Sequence, residues 1–113
     1  MTENETRIIA SCWGIIKNNK NVTVEAFGNV ETYSVYCDKK RVFTIAKNFI
    51  ATSDNWEYKL DIDNNTWKFY GNQHDLPILE DLYKKCMTKY VEQTQQRENR
   101  ALKFLEKFKA REK

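Results

Sequence analysis

The alternation of apolar and polar side chains is sharpest between Trp56 and Tyr70. Trp56, Tyr58, Leu60 and Ile62 alternate with Glu57, Lys59 and Asp61, the period of a strand with one buried face. Trp67 and Phe69 alternate with Lys68 on a return strand, and Asp63-Asn64-Asn65-Thr66 supplies the turn. With Asn64-Asn65 as a two-residue loop, Ile62 faces Trp67, Leu60 faces Phe69 and Asp61 faces Lys68. One register then satisfies both the apolar and the charged pairs.

A second hairpin is predicted between Thr32–Cys37 and Arg41–Ala46, broken by Asp38-Lys39-Lys40, and Val22, Val24 and Ala26 form a further short strand. The segment 7–17 admits two readings. Ile8, Ile9, Cys12, Ile15 and Ile16 fit a helical stripe, but four isoleucines with Trp13 and Gly14 have better strand than helix propensity. Asn18-Asn19 also offers a turn that sets Ile15 opposite Val22 and Trp13 opposite Val24. Strand is therefore the favoured reading. The helical alternative would start from Thr2 and Glu5 as a capping box.

From Asp75 onward the period becomes helical. Asp75 suits an N-cap, Pro77 the first turn, and Glu80 and Asp81 the positive end of the helix dipole. Leu79, Leu82, Tyr83, Cys86, Met87, Tyr90 and Val91 make a stripe to bury. Residues 92–100 then hold no apolar side chain, and a second apolar group follows in Ala101, Leu102, Phe104, Leu105 and Phe108. One straight helix would carry that group away from the body. An exposed cluster of this kind must fold back, pair with a second copy or meet a partner.

The expected fold is thus α+β: an antiparallel β-meander of about 4–6 strands packed on a long C-terminal amphipathic helix. Residues 1–113 form one domain, with the sheet over about 7–71, the helix over about 75–96 and a basic helical tail over about 97–113. Composition agrees. Six Phe, six Tyr and three Trp provide a large-residue core, while three Gly and one Pro leave turns to the eleven asparagines. There is no apolar run long enough for a membrane span and no secretory signal in 1–7, so a cytoplasmic protein that makes no membrane contact is expected. Cys12, Cys37 and Cys86 are widely spaced and odd in number, which suits reduced thiols.

Charge changes the picture at the C-terminus. Residues 97–113 hold seven Lys/Arg and three Asp/Glu, whereas residues 1–96 hold twelve and thirteen. The basic segment suits an acidic protein surface or phosphates. Asp61-x-Asp63-x-Asn65 resembles the start of a calcium loop, but Thr66 and Asn72 stand where glycine and glutamate are required, and the hairpin explains the same residues better. No metal or cofactor is expected. His74, the only histidine, is the one candidate general base, and a small hydrolase or lyase built on it is the enzymatic alternative. No phosphate loop or nucleophile motif occurs.

The favoured reading is a small non-enzymatic binding protein, an inhibitor or adaptor acting on a protein or nucleoprotein complex. The Asn- and Lys-rich, Gly- and Pro-poor composition suits the AT-rich coding sequence of a phage or mobile element. Direct RNA or DNA binding through the basic helix is the alternative, and a homodimer through the same helix is a further expected mode. The candidate binding residues are Arg97, Arg100, Lys103, Phe104, Lys107, Phe108, Lys109 and Arg111 on the tail. Tyr36, Lys59, Lys68 and Tyr70 join them on the outer sheet face, where aromatic rings could stack bases.

Overall fold

The computed structural model describes residues 1–28, 31–72 and 76–109. Its elements are α1 (Glu3–Asn18), β1 (Val22–Phe27), β2 (Glu31–Cys37), β3 (Lys40–Ile50), β4 (Asn55–Ile62), β5 (Asn65–Gly71) and α2 (Pro77–Lys109). The five strands form one antiparallel sheet in the order β1-β2-β3-β4-β5, a simple meander. Both helices contribute to a single core on one face of this sheet. The fold is α+β.

Residues 7–17 are helix, not the strand that isoleucine propensity favoured. Two local facts outweigh propensity. The Thr2 hydroxyl accepts the Glu5 N–H at 3.1 Å, and the Glu5 carboxylate accepts the Thr2 N–H at 2.7 Å, closing a capping box. Ile9, Cys12 and Ile16 then fall on one face and are buried. Asn18 and Asn19 end this helix instead of turning a hairpin. The Asn19 backbone and side-chain nitrogens both donate to the Ile15 carbonyl, at 3.2 and 3.1 Å. Ile15 and Trp13 therefore pack on the core from a helix and pair with no strand.

The β4–β5 hairpin exists in a different register from the one expected. Its loop is Asp63-Asn64, with φ of 49° and 64°, the paired positive values of a type I′ turn. Ile62 pairs with Asn65, Leu60 with Trp67 and Tyr58 with Phe69. The slip is two residues, so every side chain keeps its face, and the apolar alternation cannot detect it. The cost is electrostatic. Lys68 lies opposite Lys59, and Asp61 lies opposite Thr66, whose hydroxyl donates to it. The β2–β3 turn is likewise made by two residues of positive φ, Asp38 at 52° and Lys39 at 70°. The register of that pair shifts between Val35 and Tyr36, leaving Val42 as the extra residue of a bulge.

The sheet's inner face brings Val24, Val35, Phe43, Ile45, Tyr58 and Leu60 against Ile9, Cys12 and Ile16 of α1 and Leu79, Leu82 and Cys86 of α2, all buried. Burial pushes the Cys12 thiol up to about 11 and the Cys86 thiol up to about 12. Both are therefore protonated packing residues at neutral pH.

Candidate macromolecular interface

Helix α2 is one continuous rod of 33 residues, about 50 Å long at 1.5 Å per residue. Its N-terminal third is held by the core. Tyr33 of β2 packs against Tyr83 and Tyr90, with centroid separations of 5.4 and 5.9 Å. Farther along, the Gln93 side chain meets the outer edge of β1. Its oxygen accepts the Val24 N–H at 2.9 Å and its nitrogen donates to the Val24 carbonyl at 2.9 Å. A carboxamide thus occupies the place of a peptide group from a sixth strand, and covers an edge that would otherwise be open to pairing.

Beyond Gln93 the helix leaves the sheet. Every residue from Gln95 to Lys109 is exposed. Leu102, Phe104, Leu105 and Phe108 are 58, 59, 54 and 48% exposed, and the Phe104 and Phe108 rings touch each other at 5.0 Å between centroids. Ala101, Phe104, Leu105 and Phe108 recur at i, i+3, i+4 and i+7, so they share one face. Of the three fates open to this group, folding back is ruled out within the chain as described. The molecule is correspondingly long, 63 × 32 × 24 Å.

The residues expected to bind separate into two surfaces. Arg97, Arg100, Lys103, Phe104, Lys107, Phe108 and Lys109 lie exposed on the free half of α2. Tyr36, Lys59, Lys68 and Tyr70 lie on the sheet face turned away from the helices, so the structure does not bring them to the tail. On that face Tyr70 stands opposite Glu57, while Lys59 and Lys68 face each other. His74, Asp75 and Arg111 lie outside the described residues. At the calcium-like positions, Thr66 donates to Asp61 and the Asn65 side chain to the Asp63 carbonyl at 3.1 Å, the bonds of a tight turn.

One polar cluster escaped the sequence. The Lys47 ammonium donates to both Glu80 oxygens, at 3.1 and 2.9 Å, and Tyr58 donates its hydroxyl to the same carboxylate. Side chains of Lys47 and Glu80 are only 11 and 8% exposed. The ammonium also lies 4.5 Å from the Trp56 ring centroid, 5.7 Å from Tyr58 and 5.5 Å from Tyr83. Burial raises the Glu80 pKa, but the bonds from Tyr58 and Lys47 and the Lys47 charge outweigh it, so the net direction is down. The group is closed on itself. Its carboxylate is engaged, and neither Lys47 nor Glu80 lines the grooves at α1 or along β1. It ties β3 and β4 to the start of α2. Sequence alone offered one clue, a lysine at an inward position of β3, which the alternation rule marks as anomalous.

Two concave surfaces flank the helices. An apolar groove of about 650 Å³ runs between α1 and the β4–β5 hairpin, with Ile8, Ile15, Val42, Ile62 and Trp67 on its walls. A polar groove of about 480 Å³ runs between β1 and the middle of α2, with Lys20, Lys89, Arg97 and Arg100 around it. Lys20 and Lys89 were not singled out by sequence. Lys89 shares a helical stripe with Gln93 and Arg100, and could have been found from that spacing. Lys20 joins them only through the tertiary fold.

No family model, curated protein or solved structure matches this chain.

Proposed function

We propose that the protein is a non-enzymatic binding module, an inhibitor or adaptor that inserts the free end of α2 into an apolar groove of a protein partner. The observation that carries this reading is the exposed stripe of Phe104, Leu105 and Phe108 on a helix that has left its own core. Anchors at i, i+3, i+4 and i+7 are the pattern of a helix recognised in a groove.

Size and charge favour a different chain over a second copy. Four side chains about half exposed present on the order of 400 Å² of apolar surface. Two copies pairing stripe to stripe would bury on the order of 800 Å², below the roughly 1,200 Å² of a stable specific interface. Lys103, Lys107 and Lys109 flank the stripe with Glu106 as their one acid in 101–109, so a self-paired tail would oppose like charges. A groove with an acidic rim satisfies both the apolar stripe and the lysines, and also covers the flanks of the helix.

A photo-crosslinking side chain at position 104, compared with one at Thr23 on the sheet, tests this in extract of the native host. The expected result is a protein adduct formed from position 104 and absent from position 23. That partner, once purified, should lose affinity for the Phe104→Asp/Phe108→Asp variant. Identical adducts from both positions, or affinity unchanged by the double substitution, would overturn the proposal.

A further inference from the structure

We propose that the groove between β1 and α2 is a second, separate binding site, for the phosphate backbone of a nucleic-acid duplex. Lys20, Lys89, Arg97 and Arg100 stand around it, with Glu25 as the single acid among its lining residues. Among the described residues, none of these four cations enters an ion pair; the pairs present are Lys47–Glu80 and Lys84–Glu80. Lys20 and Lys89 come from residues 1–96, which as a whole are slightly acidic, and the fold sets them beside Arg97 and Arg100 of the basic segment 97–113.

The arrangement is linear and stiff. Lys89, Gln93, Gln96 and Arg100 recur at i, i+4, i+7 and i+11, one face of the helix. Lys89 and Arg100 are separated by about 16 Å along the axis, a rise of about five base pairs at 3.4 Å per phosphate on each strand. The opposite wall is the edge strand, tied to the helix by the two Gln93–Val24 bonds; Lys20 stands just before that strand, so the groove sets it against the three cations of α2. Thr23 and Gln96 add hydroxyl and amide donors of the kind that contact phosphate oxygens.

The lining also says what kind of nucleic acid fits. It contains no aromatic ring. Single strands bound without sequence preference use stacking platforms as well as charge, whereas a duplex presents its phosphates and keeps its bases stacked internally. The site therefore reads backbone and not sequence. Its position at the root of the free helix would set a duplex beside whatever protein holds the tail, but the site is independent of that docking.

The test is fluorescence polarisation of a labelled 16-base-pair duplex with the full-length protein across a salt series. With four phosphate contacts, log K should fall against log salt with a slope of about −3.6. Lys20→Gln/Lys89→Gln/Arg97→Gln/Arg100→Gln should weaken binding at least tenfold and flatten the slope towards zero. Arg97→Gln/Arg100→Gln alone, on an exposed helix face, should remove about half of the slope. Phe104→Ala/Phe108→Ala, which places no new charge beside Arg100, should leave duplex binding within about twofold, which separates this site from the tail interface. Absence of binding at low salt, a slope unaltered by the substitutions, or equal affinity for labelled polyglutamate or for a single strand of the same length would each overturn the proposal.

Discussion

The side chain of Gln93 bonds to both the N–H and the C=O of Val24, so a helix residue completes the hydrogen bonding of an edge strand. Among the described residues this is the last hydrogen bond between α2 and the sheet before the helix runs free. It therefore decides where the body ends and the projecting segment begins.

Replacing Gln93 by Ala leaves two half-buried backbone groups without their partner. A loss of about 1–3 kcal/mol in unfolding free energy is expected by denaturant titration. Gln93→Glu should cost at least as much at neutral pH, because the carboxylate keeps the acceptor, loses the donor and faces the Val24 carbonyl. Amide exchange at Val24 should accelerate in both variants. Unchanged exchange at Val24 would show that the bonds contribute nothing in solution.

The Lys47–Glu80 pair predicts a pronounced non-additivity. Lys47→Met leaves a buried carboxylate without its counter-ion, and Glu80→Gln leaves a buried ammonium. Each single change should destabilise by about 3–5 kcal/mol. The double variant Lys47→Met/Glu80→Gln removes both charges while the amide still accepts from Tyr58, and should recover most of that loss. Simple additivity in a double-mutant cycle would contradict the described geometry.

The same carboxylate sets an acid limit. The folded Glu80 titrates below its ordinary value of 4.5, so its stabilising contribution is complete above that value and is lost as pH falls through the lowered folded value. Unfolding free energy of the native chain should therefore drop more steeply than that of Glu80→Gln as pH falls below the ordinary value of 4.5. Parallel pH profiles for the two proteins would refute a contribution from this group.

Helix α1 depends on its cap. Thr2→Ala removes the acceptor for the Glu5 N–H, and a loss of about 1 kcal/mol is expected. Thr2→Ser should retain most of the stability, as read by thermal melting of both variants beside the native chain.

The meander was legible because alternation marks strands and faces directly, and the position of Pro77 with the stripe from Leu79 to Tyr90 marked α2. Two features were hidden for definable reasons. The strand reading of 7–17 weighed isoleucine propensity above a capping box that was visible in Thr2 and Glu5. The two-residue slip in the β4–β5 hairpin preserves every face, Asn64-Asn65 suits a positive-φ turn as well as Asp63-Asn64 does, and the Asp61–Lys68 charge pair pointed to the register that the chain does not adopt. Of the interface, the exposed stripe Phe104–Phe108 could be anticipated from the polar stretch before it. The cationic groove could not, because Lys20 reaches Lys89 and Arg97 only after β1 has docked beside α2.

The central claim is that Phe104 and Phe108 are anchors for a partner, and titration calorimetry of the partner captured through position 104 tests it most directly. Full burial of a phenylalanine contributes about 1.5–3 kcal/mol, and these two are already about half covered, so their combined contribution to binding is about 1.5–3 kcal/mol. Phe104→Asp/Phe108→Asp is thus expected to weaken binding by about 10- to 150-fold, with the circular dichroism and melting of the body unchanged. A dissociation constant within about twofold of the native value, with the fold intact, would contradict the claim.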